Sequence, residues 1–179
     1  MAARVGMVYI VDQIRLMISD PIDGSVYYTD DQIQGVLDDN REDVDGYPLT
    51  ARFGGTEHVA SVGWWEDGVL LTDEDGNTLT QDSENLRRGS WTFSPAHTGD
   101  ISLTGSNYDI YGAAADLLEI WAGALVGEVE EWSADGMSVK RSTSARMKAL
   151  AASYRVKARG LVDSGVSIAT LVRRDTWAV

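Results

Sequence analysis

The stretch E-E-W-S-A-D-G-M-S-V-K-R-S-T-S, residues 130–144, decides how this chain is read. It lies between two segments of strong helical periodicity, yet its own apolar and polar residues alternate. Ser133, Met137, Ser138 and Val139 suit an extended backbone, and Asp135-Gly136 is a turn pair. The Ser142-Thr143-Ser144 cluster supplies hydroxyls for an N-cap. A plain connection between helices accounts for the turn and the cap but not for the alternation. The stretch also marks a change of charge, with Glu128, Glu130 and Glu131 on one side and Lys140 and Arg141 on the other.

The flanks read clearly. Ile110, Ala113, Ala114, Leu117, Leu118, Trp121, Ala124 and Leu125 follow the i, i+3, i+4, i+7 pattern for four turns and predict helix three. Met147, Leu150, Ala151, Tyr154, Ala158 and Leu161 form the stripe of helix four, which Ser164-Gly165 closes. Toward the N-terminus, Met7, Val11, Ile14 and Ile18 share one face of helix one, which stops at Ser19-Asp20-Pro21 because a residue before proline leaves the helical region. Helix two starts at the capping box Thr29-Asp30-Asp31-Gln32. Ile33, Val36, Leu37 and Val44 make its apolar face, and it ends near Asp45-Gly46.

Residues 47–108 change character. Gly and Thr rise, and short apolar runs alternate with turns. Residues 68–80 read as a hairpin turning at Asp73–Gly76, with further strands at Ser90–Phe93 and Leu49–Phe53. The expected architecture is mainly α: a four-helix core built from residues 1–46 and 109–164, a β-rich insertion at 47–108 between helices two and three, and a C-terminal tail at 165–179. The class is α+β overall. Trp64, Trp65, Trp91, Tyr47 and Tyr108 are expected to build the core of the insertion.

A chain of 179 residues, 44% of them apolar, has enough material for a packed core. It has no cysteine, which excludes disulfides and thiolate metal sites and fits a reducing compartment. No apolar run is long enough to span a membrane, and the N-terminus lacks the pattern of a signal peptide. The net charge of −13 is split: residues 1–135 hold 26 acidic against 6 basic residues, and residues 136–179 hold 2 against 9. Two compatible readings stand. The basic end seeks an acidic partner, or it lies on the chain's own acidic body.

Chemistry is sparse. His58 and His97 are 39 residues apart and have no metal-ligand spacing. Asp73, Asp75, Asn77 and Glu84 occupy positions 1, 3, 5 and 12 of a calcium loop, but Thr78 stands where glycine is required and the flanks read as strands. A turn rich in Asp, Gly and Asn explains them as well. The acidic pairs Asp30-Asp31, Asp38-Asp39 and Glu130-Glu131 read as helix-end charges and solvated faces. No catalytic constellation, metal site or cofactor is expected, and the chain is read as a non-enzyme.

The order of elements carries a resemblance. A helix ends in I-S-D-P, then comes Y-Y-T-D-D-Q-I-Q-G-V-L-D-D-N-R. The long helix A-A-A-D-L-L-E-I-W-A leads through W-S-A-D-G-M-S-V-K-R-S into R-M-K-A-L-A-A-S-Y-R-V-K-A-R. Over about residues 7–45 and 109–163 this resembles the head–tail connector (adaptor) proteins of tailed bacteriophages, whose compact members lack the 47–108 segment. The resemblance implies a structural subunit of a homo-oligomeric ring, usually dodecameric, below the portal in the virion neck and assembled in the host cytoplasm. The ring would extend the DNA channel, pass DNA without specific binding through an acidic lumen, and offer a platform to the next neck or tail protein. The C-terminal segment would dock on the portal through Arg173, Arg174 and Trp177. Residues 132–141, with Trp132, Asp135, Gly136, Ser138, Lys140 and Arg141, would lie at an intersubunit contact. A phage stopper or tail-completion protein and a non-viral soluble binding module are the alternatives. The insertion is expected to form an outer lobe facing neighbouring subunits or other virion proteins, with carbohydrate or receptor binding by exposed aromatics as the competing idea.

Overall fold

The computed structural model describes residues 4–20, 26–125, 130–134, 137–141 and 143–163. Helix α1 (Val8–Ile18) follows a single 3-10 turn at Val5–Met7. It buries Val11, Ile14 and Ile18, as its spacing predicts, and Ile10 besides. It ends at Ser19, which takes the left-handed conformation and turns the chain sharply. Asp20 then acts as a cap: its carboxylate accepts the backbone N–H groups of Tyr27 and Tyr28 at 2.6 and 3.2 Å and pairs with the Arg15 guanidinium at 2.6 Å. Arg15 and Asp20 are both buried, and Arg15 also reaches Asp30 at 2.6 Å. A buried charge pair is tolerable only when its remaining hydrogen-bonding capacity is used, and here much of it is.

Helix α2 (Asp30–Asp39) opens on the expected capping box. The Thr29 hydroxyl accepts the Gln32 N–H, and the Gln32 side chain accepts the Thr29 N–H. It is shorter than its sequence suggests. The Asn40 side-chain amide donates to the Val36 carbonyl at 2.9 Å and closes the last turn, so Val44 belongs to a strand and not to the helical face.

That strand, β1 (Arg41–Pro48), is separated from the helix by Asn40 alone. It is followed by β2 (Thr50–Arg52), β3 (Glu57–Val59), β4 (Leu70–Asp73), β5 (Thr78–Leu79), β6 (Ser83–Asn85), β7 (Ser90–Thr92) and β8 (Ile101–Tyr108). One antiparallel sheet has the order β1-β8-β4-β5 and the other β2-β3-β7-β6. The hairpin expected at 68–80 is β4–β5, with Leu71 opposite Leu79. Helix α3 (Ile110–Ala124) starts at Asp109, whose carboxylate accepts the N–H groups of Tyr111 and Gly112 at 3.1 and 2.9 Å. Then come β9 (Glu130–Ala134), β10 (Met137–Arg141) and α4 (Thr143–Asp163).

The expectation of a mainly α protein built on a four-helix core is overturned. Two four-stranded antiparallel sheets and a two-stranded ribbon make this a β-rich α+β fold. Its two longest sheet strands, β1 and β8, lie outside the strands expected from the sequence. β1 is an edge strand exposed along most of its length, so its residues R-E-D-V-D-G-Y-P are free to be charged. β8 alternates Ile101 and Leu103 inward and then turns small, because a larger residue at Gly105 would press into Val69.

Two apolar clusters result. The sheets share Leu49, Ala60, Trp65, Leu71, Trp91, Phe93, Ile101 and Leu103. The helices share a second cluster from α1, α2 and α3 with Ala151 of α4. Of the aromatics expected in the β core, Trp65 and Trp91 are fully buried there and Tyr47 packs against it, whereas Tyr108 and Trp64 pack with the helices. No helix among the described residues is long and apolar enough to cross a membrane.

Replacing Asp20 by Ala is expected to cost about 3–5 kcal/mol, since it removes the buried partner of the Arg15 guanidinium and the acceptor of two N–H groups. Urea unfolding would read this. The Arg15→Met/Asp20→Leu pair should recover part of the loss but not all, because the Tyr27 and Tyr28 N–H groups still lack their acceptor.

Candidate interaction surfaces

The two clusters meet at the loop between β3 and β4. Neighbouring tryptophans point into different environments. Trp65 is buried in the sheet core, and its indole N–H donates to the Val62 carbonyl at 2.9 Å. Trp64 packs against the helices and adopts a left-handed backbone, φ 63°, which side-chain-bearing residues seldom take. Surrounding contacts hold it there. The Trp64 ring stacks on Tyr9 at 6.5 Å, the Arg87 guanidinium lies over it at 5.3 Å, and the Tyr9 hydroxyl donates to the Trp65 carbonyl. Burial pushes the Tyr9 hydroxyl well above its ordinary pKa.

This loop also lies backbone to backbone on the β6–β7 turn. The Trp65 N–H donates to the Leu86 carbonyl at 3.1 Å and the Ala60 N–H to Gly89 at 2.8 Å. A Cβ at Gly63 or Gly89 would collide with a carbonyl oxygen of the facing segment, so both positions require glycine. The result is a groove of about 460 Å³ lined by Glu42, Ser61, Trp64, Arg87, Tyr108 and Tyr111, among others. The Tyr108 hydroxyl donates to Glu66 at 2.6 Å and accepts from Arg4 at 2.9 Å. Burial, and then the bond to Glu66, raise its pKa strongly. Backbone strain next to an aromatic groove with charged rims is a feature of binding surfaces. Its indole, two phenols and charged side chains offer recognition chemistry.

The calcium-like residues do not assemble. Asp73 Oδ1 accepts the N–H groups of Asp75 and Asn77 at 3.0 and 2.8 Å, and Oδ2 accepts the Asn77 side-chain amide at 3.0 Å. These bonds, led by the Asn77 side chain, hold the Asp73 carboxyl below its usual range. Its lone pairs are engaged in closing the hairpin turn. Glu84 sits on β6 of the other sheet and accepts from Gln81 at 3.0 Å. Among the described residues no group of three or more His, Cys, Asp or Glu side chains is placed to hold a metal ion.

The fold does bring together two histidines that are far apart in sequence. The rings of His58 and His97 lie 6.2 Å apart beside Phe93. His97 borders an acidic cavity of about 630 Å³ with Asp73, Glu74, Asp75 and Asp100. His58 is 1% exposed, and neither of its ring nitrogens has a hydrogen-bond partner. Burial first and then the neighbouring His97 lower its pKa. Only the pairing of β3 with β7 and the return of the 93–100 loop bring this pair together, so no local motif announces it.

Residues 130–134 and 137–141 form a ribbon. β9 and β10 pair antiparallel, with Trp132 opposite Val139, Ser133 opposite Ser138, Glu131 opposite Lys140 and Glu130 opposite Arg141. Four of the six residues expected at an intersubunit contact, Trp132, Ser138, Lys140 and Arg141, therefore lie on one ribbon. Asp135 and Gly136 fall outside the described residues, as do Arg173, Arg174 and Trp177. After the ribbon, Ser144 is buried and donates to the Ala122 carbonyl at 2.8 Å, which anchors the start of α4 on α3. On α4, Arg155 pairs with Asp116 and Glu119 of α3, and Lys157 lies 5.5 Å from the ring centres of Tyr111 and Tyr154. Part of the basic segment thus does rest on the chain's own acidic body.

Protonation of His58 is opposed in the fold and free in the unfolded chain, so the unfolded state binds more protons as pH falls. Stability is expected to drop as pH falls from about 7 through the ordinary histidine range near 6.5 and below. His58→Phe should flatten that part of the profile in thermal melts, while the loss at carboxylate pH persists. In comparisons with known proteins, the chain matches no family model, no curated protein and no solved structure.

Proposed function

We propose that this chain is a structural ring subunit, the head-to-tail connector (adaptor) of a tailed bacteriophage. One observation carries the reading. The link between α3 and α4 is a two-stranded ribbon that, among the described residues, pairs with itself and with no other strand. A lone two-stranded ribbon is marginally stable in water and leaves its outer edges open. A neighbouring copy that packs on it or pairs with it supplies what the single chain lacks. The order of helices around it, α1, α2, α3, ribbon, α4, supports the same reading through the connector resemblance.

In this role the chain is no enzyme. It sits in the virion neck after assembly in the host cytoplasm. The basic end, with Arg173, Arg174 and Trp177, meets the portal. The acidic body lines or borders a channel through which DNA slides, because carboxylates repel phosphates and clustered lysines and arginines would retain them. The far side of the ring, usually of twelve subunits in this family, seats the next neck or tail protein. The sheet layer faces outward to other virion proteins.

A second reading gains weight from the two four-stranded sheets. Stopper and tail-completion proteins carry more β structure in their main body, and they occupy the same neck. Electron microscopy of the neck separates the two by position.

Trp132→Ala is expected to impair ring assembly, read by negative-stain images and sedimentation, while leaving the helical content unchanged by circular dichroism. Rings as abundant as wild type would remove the ribbon from the interface. The purified protein should also leave duplex DNA unshifted in gels at low salt. Tight, salt-sensitive binding would contradict a channel that must release DNA.

A further inference from the structure

Helix α1 shows the solvent an apolar ridge. Val8 and Leu16, 51% and 63% exposed, stand with Asp12 at i, i+4 and i+8 on its outer side, although its inner side is fully used by the helical core. Val5, 93% exposed, extends the ridge by one turn. Scattered exposed aliphatics need no explanation, but aliphatics aligned along one ridge of a helix do. Helix α4 shows the opposite relief. Its outer side carries Ala149, Ala152 and Val156 at i, i+3 and i+7, with Val156 69% exposed, and its exposed flanks bear Arg146 and Lys148. Its inward-facing residues are committed to the chain itself: Ala151 is buried, Arg155 pairs with α3, and the Tyr154 hydroxyl donates to the Met17 carbonyl at 2.9 Å.

From these two faces we infer a head-to-tail interface between copies of this chain, in which the α1 ridge of one subunit seats on the outer face of α4 of the next. The inference rests on the ring reading above and names the surfaces that build it. Three complementarities select a second copy as the occupant. Large side chains on α1 meet small ones on α4, so the helices can approach closely and pack ridge into groove. Apolar area meets apolar area. The one carboxylate on the ridge, Asp12, meets Lys148 on one flank of the outer face of α4, and the same opposition runs through the chain, with 26 of its 28 acidic residues before residue 136 and 9 of its 15 basic residues after it. Because the two patches are different parts of the molecule, the contact is heterologous, the type of contact that builds a ring when the rotation per subunit closes.

The chain has no cysteine, which makes a cross-linking test clean. Mixed Leu16→Cys and Val156→Cys proteins, treated with a short bismaleimide at assembling concentration, should give cross-linked pairs in several-fold higher yield than Leu16→Cys mixed with Phe53→Cys, another exposed position. Leu16→Glu should raise the concentration for half-assembly by about tenfold or more. Asp12→Lys and Lys148→Glu should each weaken assembly, and together they should restore part of it. If wild-type rings form but these variants assemble equally well and the cross-link yield equals the control, the interface lies elsewhere and the ring reading survives. If the wild-type chain forms no ring in neck particles or at high concentration, both the ring reading and this interface fail.

Discussion

The pairing of β1 with β8 is the constraint on which the molecule depends. α2 runs into β1 through Asn40 alone, and β8 runs into α3 through Asp109 alone. The register sets Arg41 opposite Tyr108 at the junction, where the Asp109 N–H donates to the Asn40 carbonyl at 3.0 Å. Asn40 also donates to Asp116 of α3 at 2.9 Å. One antiparallel ladder therefore aligns two helix ends, and it fixes the sheet layer to the helical layer with almost no linker to flex. β8 serves both layers, with Ile101 and Leu103 in the sheet core and Tyr108 in the helical one. A bulge between Val44 and Tyr47 lets β1 keep pairing while it bends, so Pro48 still reaches its place opposite Ser102.

This coupling explains why the groove forms where it does. Trp64 and Trp65 sit at the seam, and one ring is needed in each layer. The chain meets both demands by giving Trp64 a left-handed backbone. Arg87, Tyr9 and the facing glycine turns hold the residue in that state. The buried Arg15–Asp20 pair has a parallel role one layer away: it ties the end of α1 to the start of α2 and to Tyr27 and Tyr28, whose rings pack with Trp121 of α3. In both places a polar or strained group is retained where several elements converge, which is where one wrong arrangement would misplace the rest.

Much of this was legible in residues. The periodicity of 110–125 is that of α3, the Thr29–Gln32 capping box is present, and the alternation at 133–139 is a ribbon. These are local signals: a helix face, a cap and a short hairpin are set by neighbours within a few residues. The ends of elements were less legible. Val44 reads as the last residue of a helical face, yet the Asn40 side chain turns back onto the Val36 carbonyl and terminates α2 before that face is complete. The edge strand β1 was illegible because its exposed faces permit any polar residue, and the strand exists through backbone bonds to β8, far along the chain.

By itself, the sequence determined four helices and the capping box of the second, a hairpin at the acidic turn, an extended alternating segment between the last two helices, and a body and an end of opposite charge. Each follows from periodicity, turn chemistry or composition, which act over short distances. Only the tertiary structure decided that the sheets are a full layer and not an appendage. It also separated Glu84 from Asp73, engaging the Asp73 carboxylate in its own turn, and it set His58 against His97. The faces of α1 and α4 left uncovered were decided there too. Strand pairing joins residues whatever their distance along the chain, and a helix face is exposed or buried according to what other segments cover it. Neither is written in the local pattern.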